Sequence, residues 1–443
     1  MKPYDAYKDS DIEWIGEIPD HWEVKKIKHR CYVKARVGWK GLKSDEFLQE
    51  GYAYLVTGSD FKNDKVNWKE CYHIDKERYD EDPYIQLQDE DLLITKDGTI
   101  GKLAIVNNLD KPACLNSGIF VVRSTKDDFS TEFLFWILKS KMFTQFNEYT
   151  SYGSTIQHLY QNVFVEFGYT FPSKEEQIAI ASYLDRKTAE IDALIADKKR
   201  LLELYEEEKT AVINQAVTKG LDPKAKMKDS GIEWLGEIPE HWKISPLKYL
   251  GKFINGYSFK STDFSSSGVR VLKISNIQHM RIDWSDESFI DSSFYESNKN
   301  FRVLKNDLVF ALTRPIISSG IKVALVDSIE KILLNQRNSI YRPTDLSVKW
   351  IYYILLSPSF IEEFDSRIDK TGQQPNISSN DIGEIVIPIP EESEQNAIIE
   401  FIDKQYSIIV NKVIKTKKLI ELLTEYRTAL ISEVVTGKIK VMD

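Results

Sequence analysis

The chain has 443 residues, 42% of them hydrophobic and 29% charged, with a formal net charge of −9 at pH 7. Those values describe an ordinary globular protein of about two to four structural units, and no apolar run approaches the roughly 20 residues that cross a bilayer. An acidic balance argues against a simple nucleic-acid binder, although binding needs a local basic surface rather than a basic protein.

The N-terminal stretch MKPYDAYKDSDIEW has no apolar core of the kind a signal peptide carries, so a cytoplasmic location is expected. Residues 9–22, DSDIEWIGEIPDHW, return 220 residues later as DSGIEWLGEIPEHW (229–242), identical at 11 of 14 positions. This segment reads as a structural lead-in. Trp14, Ile18 and Trp22 pack on the body, Pro19 fixes a turn, and His21 and His241 hydrogen-bond locally.

Residues 23–171 read as a mixed α/β unit. YAYLVTGSDF (52–61), DLLITKDGTIGKLAIV (91–106) and GIFVVRS (118–124) have β-branched, glycine-punctuated strand character, and 130–149 reads as one helix capped by Ser130 or Thr131. A polar loop and a short strand (151–172) follow.

A long helix then begins at Ser173, where Ser173 and Glu176 form a capping box, and no Gly or Pro interrupts it until Gly220. Leu184, Thr188, Ile191, Ile195, Lys198, Leu202, Tyr205, Lys209, Val212 and Ala216 alternate at spacings of four and three, a heptad seam with two lysines in it. Such a helix is about 65 Å long and needs a partner of similar length.

The partner lies 218 residues on: Ile402, Tyr406, Ile409, Val413, Thr416, Ile420, Leu423, Arg427, Leu430 and Val434 repeat the spacing. AVTKGL (216–221) answers VVTGKI (434–439), and PSKEEQ (172–177) answers PEESEQ (390–395). The chain is an internal duplication. Between the two lead-ins and helices, residues 243–390 repeat the plan of 23–171 with weak identity. VRVLKISNI (269–277) and DLVFALTRPIISSGIKVALV (307–326) stand for the first unit's strands, aligning Lys102 with Lys322. A near-constant frame around two diverged units suggests one framing task performed twice and two different tasks for the units. The middle of the seam holds Lys198 and Lys209 where the equivalent positions of the second helix hold Thr416 and Arg427, so it is expected to be partly open.

No catalytic centre is compelled. KDGTIGK (96–102) has two residues rather than four between its glycines and Leu103 after the lysine, so it is a turn with Gly98 and Gly101 at special backbone angles, not a phosphate-binding loop. The six histidines form no ligand cluster, and Cys31, Cys71 and Cys114 are far apart with no CxxC spacing, as buried or incidental thiols are. What remains are loops rich in groups that contact bases and phosphates. They are Lys96, Thr99 and Lys102, then Ser154, Thr155, Gln157 and His158, in the first unit. In the second they are Arg314, Ser318, Ser319 and Lys322, then Gln373, Gln374 and Asn376. The opposing consideration is charge: residues 1–171 carry 22 Lys+Arg against 28 Asp+Glu, and residues 221–390 carry 21 against 21.

The doubled DSxIEWxGEIPxHW lead-in, the doubled EQ at the start of a long helix, LLITKDGTIGKLAIV, and GSTIQHL (153–159) with its counterpart GQQPNIS (372–378) resemble the specificity subunits of type I restriction-modification systems over essentially the whole chain. The resemblance implies an α+β fold in which two mixed α/β target recognition domains are separated by two long antiparallel helices, a coiled coil with an internal pseudo-twofold repeat. It divides the chain into a lead-in (1–22), a first recognition domain (23–172), the central helix (173–220), a second lead-in (221–242), a second recognition domain (243–390) and the C-terminal helix (391–443). It also implies a non-catalytic chain. Each domain reads half of a bipartite site on double-stranded DNA, the helices set the gap, and two methyltransferase (modification) subunits dock on the frame, with restriction/translocase subunits as an optional addition. No cofactor is expected in this chain; S-adenosylmethionine, ATP and Mg are expected on the partners. Against this stands an adaptor whose helical spacer joins two protein-binding domains without DNA, and a single-chain nuclease.

Overall fold

The computed structural model describes residues 3–36, 42–43, 46–150, 158–344 and 346–442. Two long helices, Lys174–Lys219 and Glu392–Val435, follow the two blocks of short strands. Chain contacts gather into two compact units, residues 1–198 with 418–443 and residues 199–417, so the divisions fall inside the long helices.

In the first unit a continuous apolar strand, Leu92–Thr95, is buried at all four positions, as a strand covered on both faces must be. It pairs antiparallel with Leu103–Ile105 and Ile119–Ser124 in a six-stranded sheet. A three-stranded sheet of Ala113–Leu115, Ala53–Val56 and Tyr72–Ile74 lies in the same unit. In the second unit Leu308–Ala311 has the same role between Val323–Leu325 and Asn338–Pro343. A buried aspartate precedes each central strand and accepts both branches of an arginine: Asp91 with Arg123 (2.6 Å), Asp307 with Arg342 (2.7 and 2.8 Å).

The expected single helix over 130–149 is two, Thr131–Lys139 and Lys141–Thr150. Buried Ser140 turns its hydroxyl back onto the Ile137 carbonyl (2.6 Å), and a serine that competes for backbone in this way ends a helix. Ser357 does the same on Ile354 in the second unit, where Pro358 opens the next helix.

The frame explains the doubled motifs. The Ser173–Glu176 capping box forms, with both bonds at 3.3 Å. Glu176 Oε1 also accepts from Tyr4 Oη (3.2 Å), His21 Nε2 (3.1 Å) and Trp22 Nε1 (3.2 Å). Glu394 takes His241 (2.8 Å) and Trp242 (2.9 Å) in the same way. The histidines therefore do not bond locally: a carboxylate at a helix N-terminus, more than 150 residues away, is the better acceptor. The following glutamines, Gln177 and Gln395, each donate to the proline carbonyl before their helix (2.9 Å).

The far ends of the helices are exchanged between the repeats. The first lead-in packs on Gly437, after the C-terminal helix; the second packs on Gly220, after the central helix. Both glycines have positive φ (+74° and +72°), and a Cβ on Gly437 would stand 2.4 Å from Pro19.

Within each unit the two helices run antiparallel. In the first, Ile180, Leu184 and Ile191 share a core with Leu430, Ile431 and Val434, and Arg427 bridges Asp192 (2.8 and 3.0 Å). In the second, Ile213, Ala216 and Val217 meet Ile398, Ile399 and Ile402, and Lys412 reaches Glu208 (3.3 Å). On the central helix the seam positions from Ile195 to Val212 are half-buried, lysines and apolar residues alike, whereas Ile409 and Thr416 of the C-terminal helix are buried.

Candidate nucleic-acid interface

In the first unit the turn after Leu92–Thr95 carries Lys96, Thr99 and Lys102. Buried Thr95 closes it: its hydroxyl donates to Thr99 O (2.5 Å) and accepts from Lys102 N (2.9 Å). Gly98 and Gly101 take φ +69° and +80°, as the turn reading of KDGTIGK requires. Thr99 is exposed at the tip and Lys102 at the base, whereas Lys96 is half-buried, with its ammonium 5.7 Å from the Phe120 ring centroid. The chain returns beside this turn at His158, whose Nδ1 meets the Asp97 carboxylate that also faces Lys96 (3.5 Å). The His158 ring lies against exposed Tyr160 (4.5 Å), at the edge of a groove of about 460 Å³. Ser154, Thr155 and Gln157 lie outside the described residues.

In the second unit the corresponding turn is a longer hairpin, with strands Ile316–Ile317 and Gly320–Ile321. Ser318 and Ser319 are exposed at its tip, and Arg314 is exposed at its base. Lys322 departs from its sequence partner Lys102. It is buried, its ammonium donates to Ile274 O (2.7 Å), and burial, reinforced by the charge of Arg314, lowers its pKa. Held on the Ile274 carbonyl, Lys322 supports the loop from beneath. Asn376 is also committed: its Oδ1 accepts from Thr313 Oγ1 (2.6 Å) and its Nδ2 donates to Gln374 O (2.7 Å). Gln373 is exposed and Gln374 half-buried, beside a shallow groove of about 490 Å³ that Arg337 also lines.

Three backbone hydrogen bonds recur in both units. Leu159 N to Lys96 O (3.0 Å) matches Ile377 N to Leu312 O (2.9 Å). Lys96 N to Gly118 O (2.9 Å) matches Leu312 N to Arg337 O (2.8 Å), and Thr95 N to Lys102 O matches Ala311 N to Lys322 O, both 3.0 Å. The same main-chain scaffold therefore presents Lys96, Gly118 and His158 in one unit and Leu312, Arg337 and Asn376 in the other. Arg337 was not legible as a site residue, because Asn335-Gln336-Arg337 stands between two strands without a motif; its register opposite Gly118 is the signal that finds it. Among the described residues, no cluster of three or more His, Cys, Asp or Glu side chains is placed to hold a metal ion, and no helix is long and apolar enough to cross a membrane. The three cysteines are buried and free.

The duplication is matched twice by one family model, the type I restriction modification DNA specificity domain, over residues 19–204 and 239–422. The chain belongs to this family. It is a DNA sequence-specificity subunit of a type I restriction-modification system, a non-catalytic subunit that works with DNA and with other subunits. Among curated relatives, the type I restriction enzyme MjaVIII specificity subunit of Methanocaldococcus jannaschii is 28% identical over 442 residues, covering 98% of this chain and 97% of that protein. The EcoKI specificity subunit of Escherichia coli strain K12 is 22% identical, covering 88% and 83%. The HsdS subunit from Thermoanaerobacter tengcongensis has a similar fold, with a TM-score of 0.61 at 15% identity over 95% of this chain and 98% of that one. A chain from a structure on complex assembly and conformational transition of the type I R-M system reaches 0.71 at 14% identity, covering 95% and 99%.

Proposed function

We propose that each recognition unit reads one half of a bipartite site on double-stranded DNA, through the turn at 96–102 with the 158–160 return in the first unit and the hairpin at 312–322 with 373–377 in the second. The paired long helices act as the spacer that sets the gap between half-sites. Two modification subunits dock on the frame and methylate adenine, a restriction/translocase subunit joins them for cleavage, and S-adenosylmethionine, ATP and Mg²⁺ reside on those partners. The complex works in the cytoplasm.

The observation that supports this reading most directly is the shared backbone scaffold carrying different side chains in the two units. Main-chain geometry that is kept while its projecting groups change suits two readers of different base sequences. A pseudo-twofold repeat suits two half-sites on one duplex. The acidic balance of residues 1–171 implies that the partner subunits supply much of the positive surface around the DNA. The deciding experiment replaces residues 23–171 with the first domain of another family member, co-expresses the chain with its modification subunits, and sequences the host methylome. One half of a split adenine-methylated motif should change and the other stay; change in both halves, or in neither, refutes the modular reading.

A further inference from the structure

Most arginines in this acidic chain are neutralised. Of its fourteen arginines, ten form an ion pair with a carboxylate. Of the other four, Arg36 is buried on the Leu115 carbonyl and Arg186 lies over the Tyr183 ring. The remaining two, Arg314 and Arg337, are exposed, have no carboxylate partner among the described residues, and sit on two different loops of the second unit. Leu312 N donates to Arg337 O (2.8 Å), and Arg314 N, two residues on, donates to Pro375 O (2.8 Å), which ties both to the Gln373–Asn376 segment.

Their backbones are unusual as well. Arg314 has φ +47° and Arg337 φ +65°, a region held elsewhere in the chain mainly by Asn, Asp and Gly. A long β-carbon side chain in that region carries a strain cost, and such positions concentrate where a side chain must be aimed. In the first unit the position of Arg337 is Gly118, so the guanidinium belongs to the second unit alone. Arg337 lines the groove beside Gln373 and Gln374, whereas Arg314 stands at the base of the hairpin outside it.

We propose that Arg337 is a specificity-determining residue of the second unit, donating two parallel N–H groups to the O6 and N7 edge of a guanine in the half-site it reads, while Arg314 grips a backbone phosphate beside it. This inference rests on the second unit being a reader of DNA. A guanidinium forms two parallel hydrogen bonds with guanine's major-groove edge, which no other base offers, while a phosphate accepts it without sequence preference. Asn376, bonded to Thr313 and to the Gln374 carbonyl, ties this loop to the strand beside it.

The test uses the full chain assembled with its modification subunits. Arg337→Gly suits the positive φ, and Arg337→Lys keeps the charge but loses the paired donors. Both should keep the melting temperature and the first half-site, and lose discrimination at one guanine of the second half-site by about 5- to 150-fold, read from methylome sequencing and competition binding. Arg314→Ala should weaken binding to all sequences alike and reduce the slope of log affinity against log salt by about one. If both Arg337 variants keep every base of the motif, whatever their affinity, Arg337 is not a base reader. If Arg314→Ala changes the motif or leaves the salt slope intact, its phosphate role is wrong. Exchange of residues 243–390 separates the two levels of failure. If that exchange changes half of the motif while Arg337 variants do not, only this inference falls; if the exchange changes nothing, the second unit is not a reader at all.

Discussion

Replacing Glu176 by Ala removes the acceptor on which the first lead-in is hung. Trp22 is fully buried and its indole N–H has Glu176 as its partner, so the variant leaves a buried donor unsatisfied, at a cost of about 1–3 kcal/mol. Loss of the carboxylate from the helix N-terminus adds about 0.3–1 kcal/mol. For a unit of this size each kcal/mol moves the melting midpoint by roughly 2–4 °C, so a fall of about 3–15 °C is expected. Glu176→Gln keeps an oxygen acceptor but not the charge, and should lose less than half as much. Calorimetry of the full chain should show the effect in the transition of the first unit, and Glu394→Ala should lower the other. The carboxyl of Glu176 also sets a pH dependence. Burial pushes its pKa up, but hydrogen bonds from His21 and Trp22, with the charge of His21 and the Tyr4 hydroxyl, hold it below its ordinary value of 4.5. Its contribution is therefore complete above pH 4.5 and is lost as pH falls through the lower folded value. If Glu176→Ala shifted neither transition, or shifted both equally, the argument would be refuted.

Inserting one heptad after Lys198 and another after Lys417, where the compact units divide, preserves the seam and adds about 10 Å to each helix. The methylated motif should gain about three base pairs of gap and keep both half-sites, since a duplex rises about 3.4 Å per pair; an unaltered gap would remove the spacer role. Leu430→Ala empties a site that is 1% exposed in the core shared with Ile180 and Leu184. It should cost about 2–5 kcal/mol, read as a lower melting transition for the first unit while the second is unmoved.

Most of the frame was legible because its signals are local or periodic. Ser173 and Glu176 sit three apart, the heptads keep their spacing, and an offset of 218–220 residues exposes the duplication. What escaped depends on contacts far apart in sequence. His21 was expected to bond nearby, yet it bonds to Glu176, because nothing in the lead-in shows which helix end will stand beside it. The single helix over 130–149 divides at Ser140, where apolar periodicity runs on and only the buried hydroxyl's bond to Ile137 marks the break. At the interface, alignment paired Lys102 with Lys322 correctly along the backbone, but burial depends on contacts distant in sequence: Lys322 is buried on the Ile274 carbonyl, whereas Lys102 is exposed. Arg337 escaped for the converse reason: its exposure follows from three-dimensional register, not from any motif around it.

The exchange of helix ends between repeats bears on how the chain comes into being. The second unit is one continuous stretch, residues 199–417, and every part of its core is available once that stretch has left the ribosome. The first unit is not: Leu430, Ile431, Val434 and Val435 close its core, and Gly437 receives its lead-in. During synthesis residues 1–198 must wait, their apolar surface uncovered, for residues 418–437 to follow. Completion therefore runs against the direction of translation, and at the ordinary pace of elongation the first unit stays open for tens of seconds. It is then the part of the nascent chain with the greatest need of a chaperone.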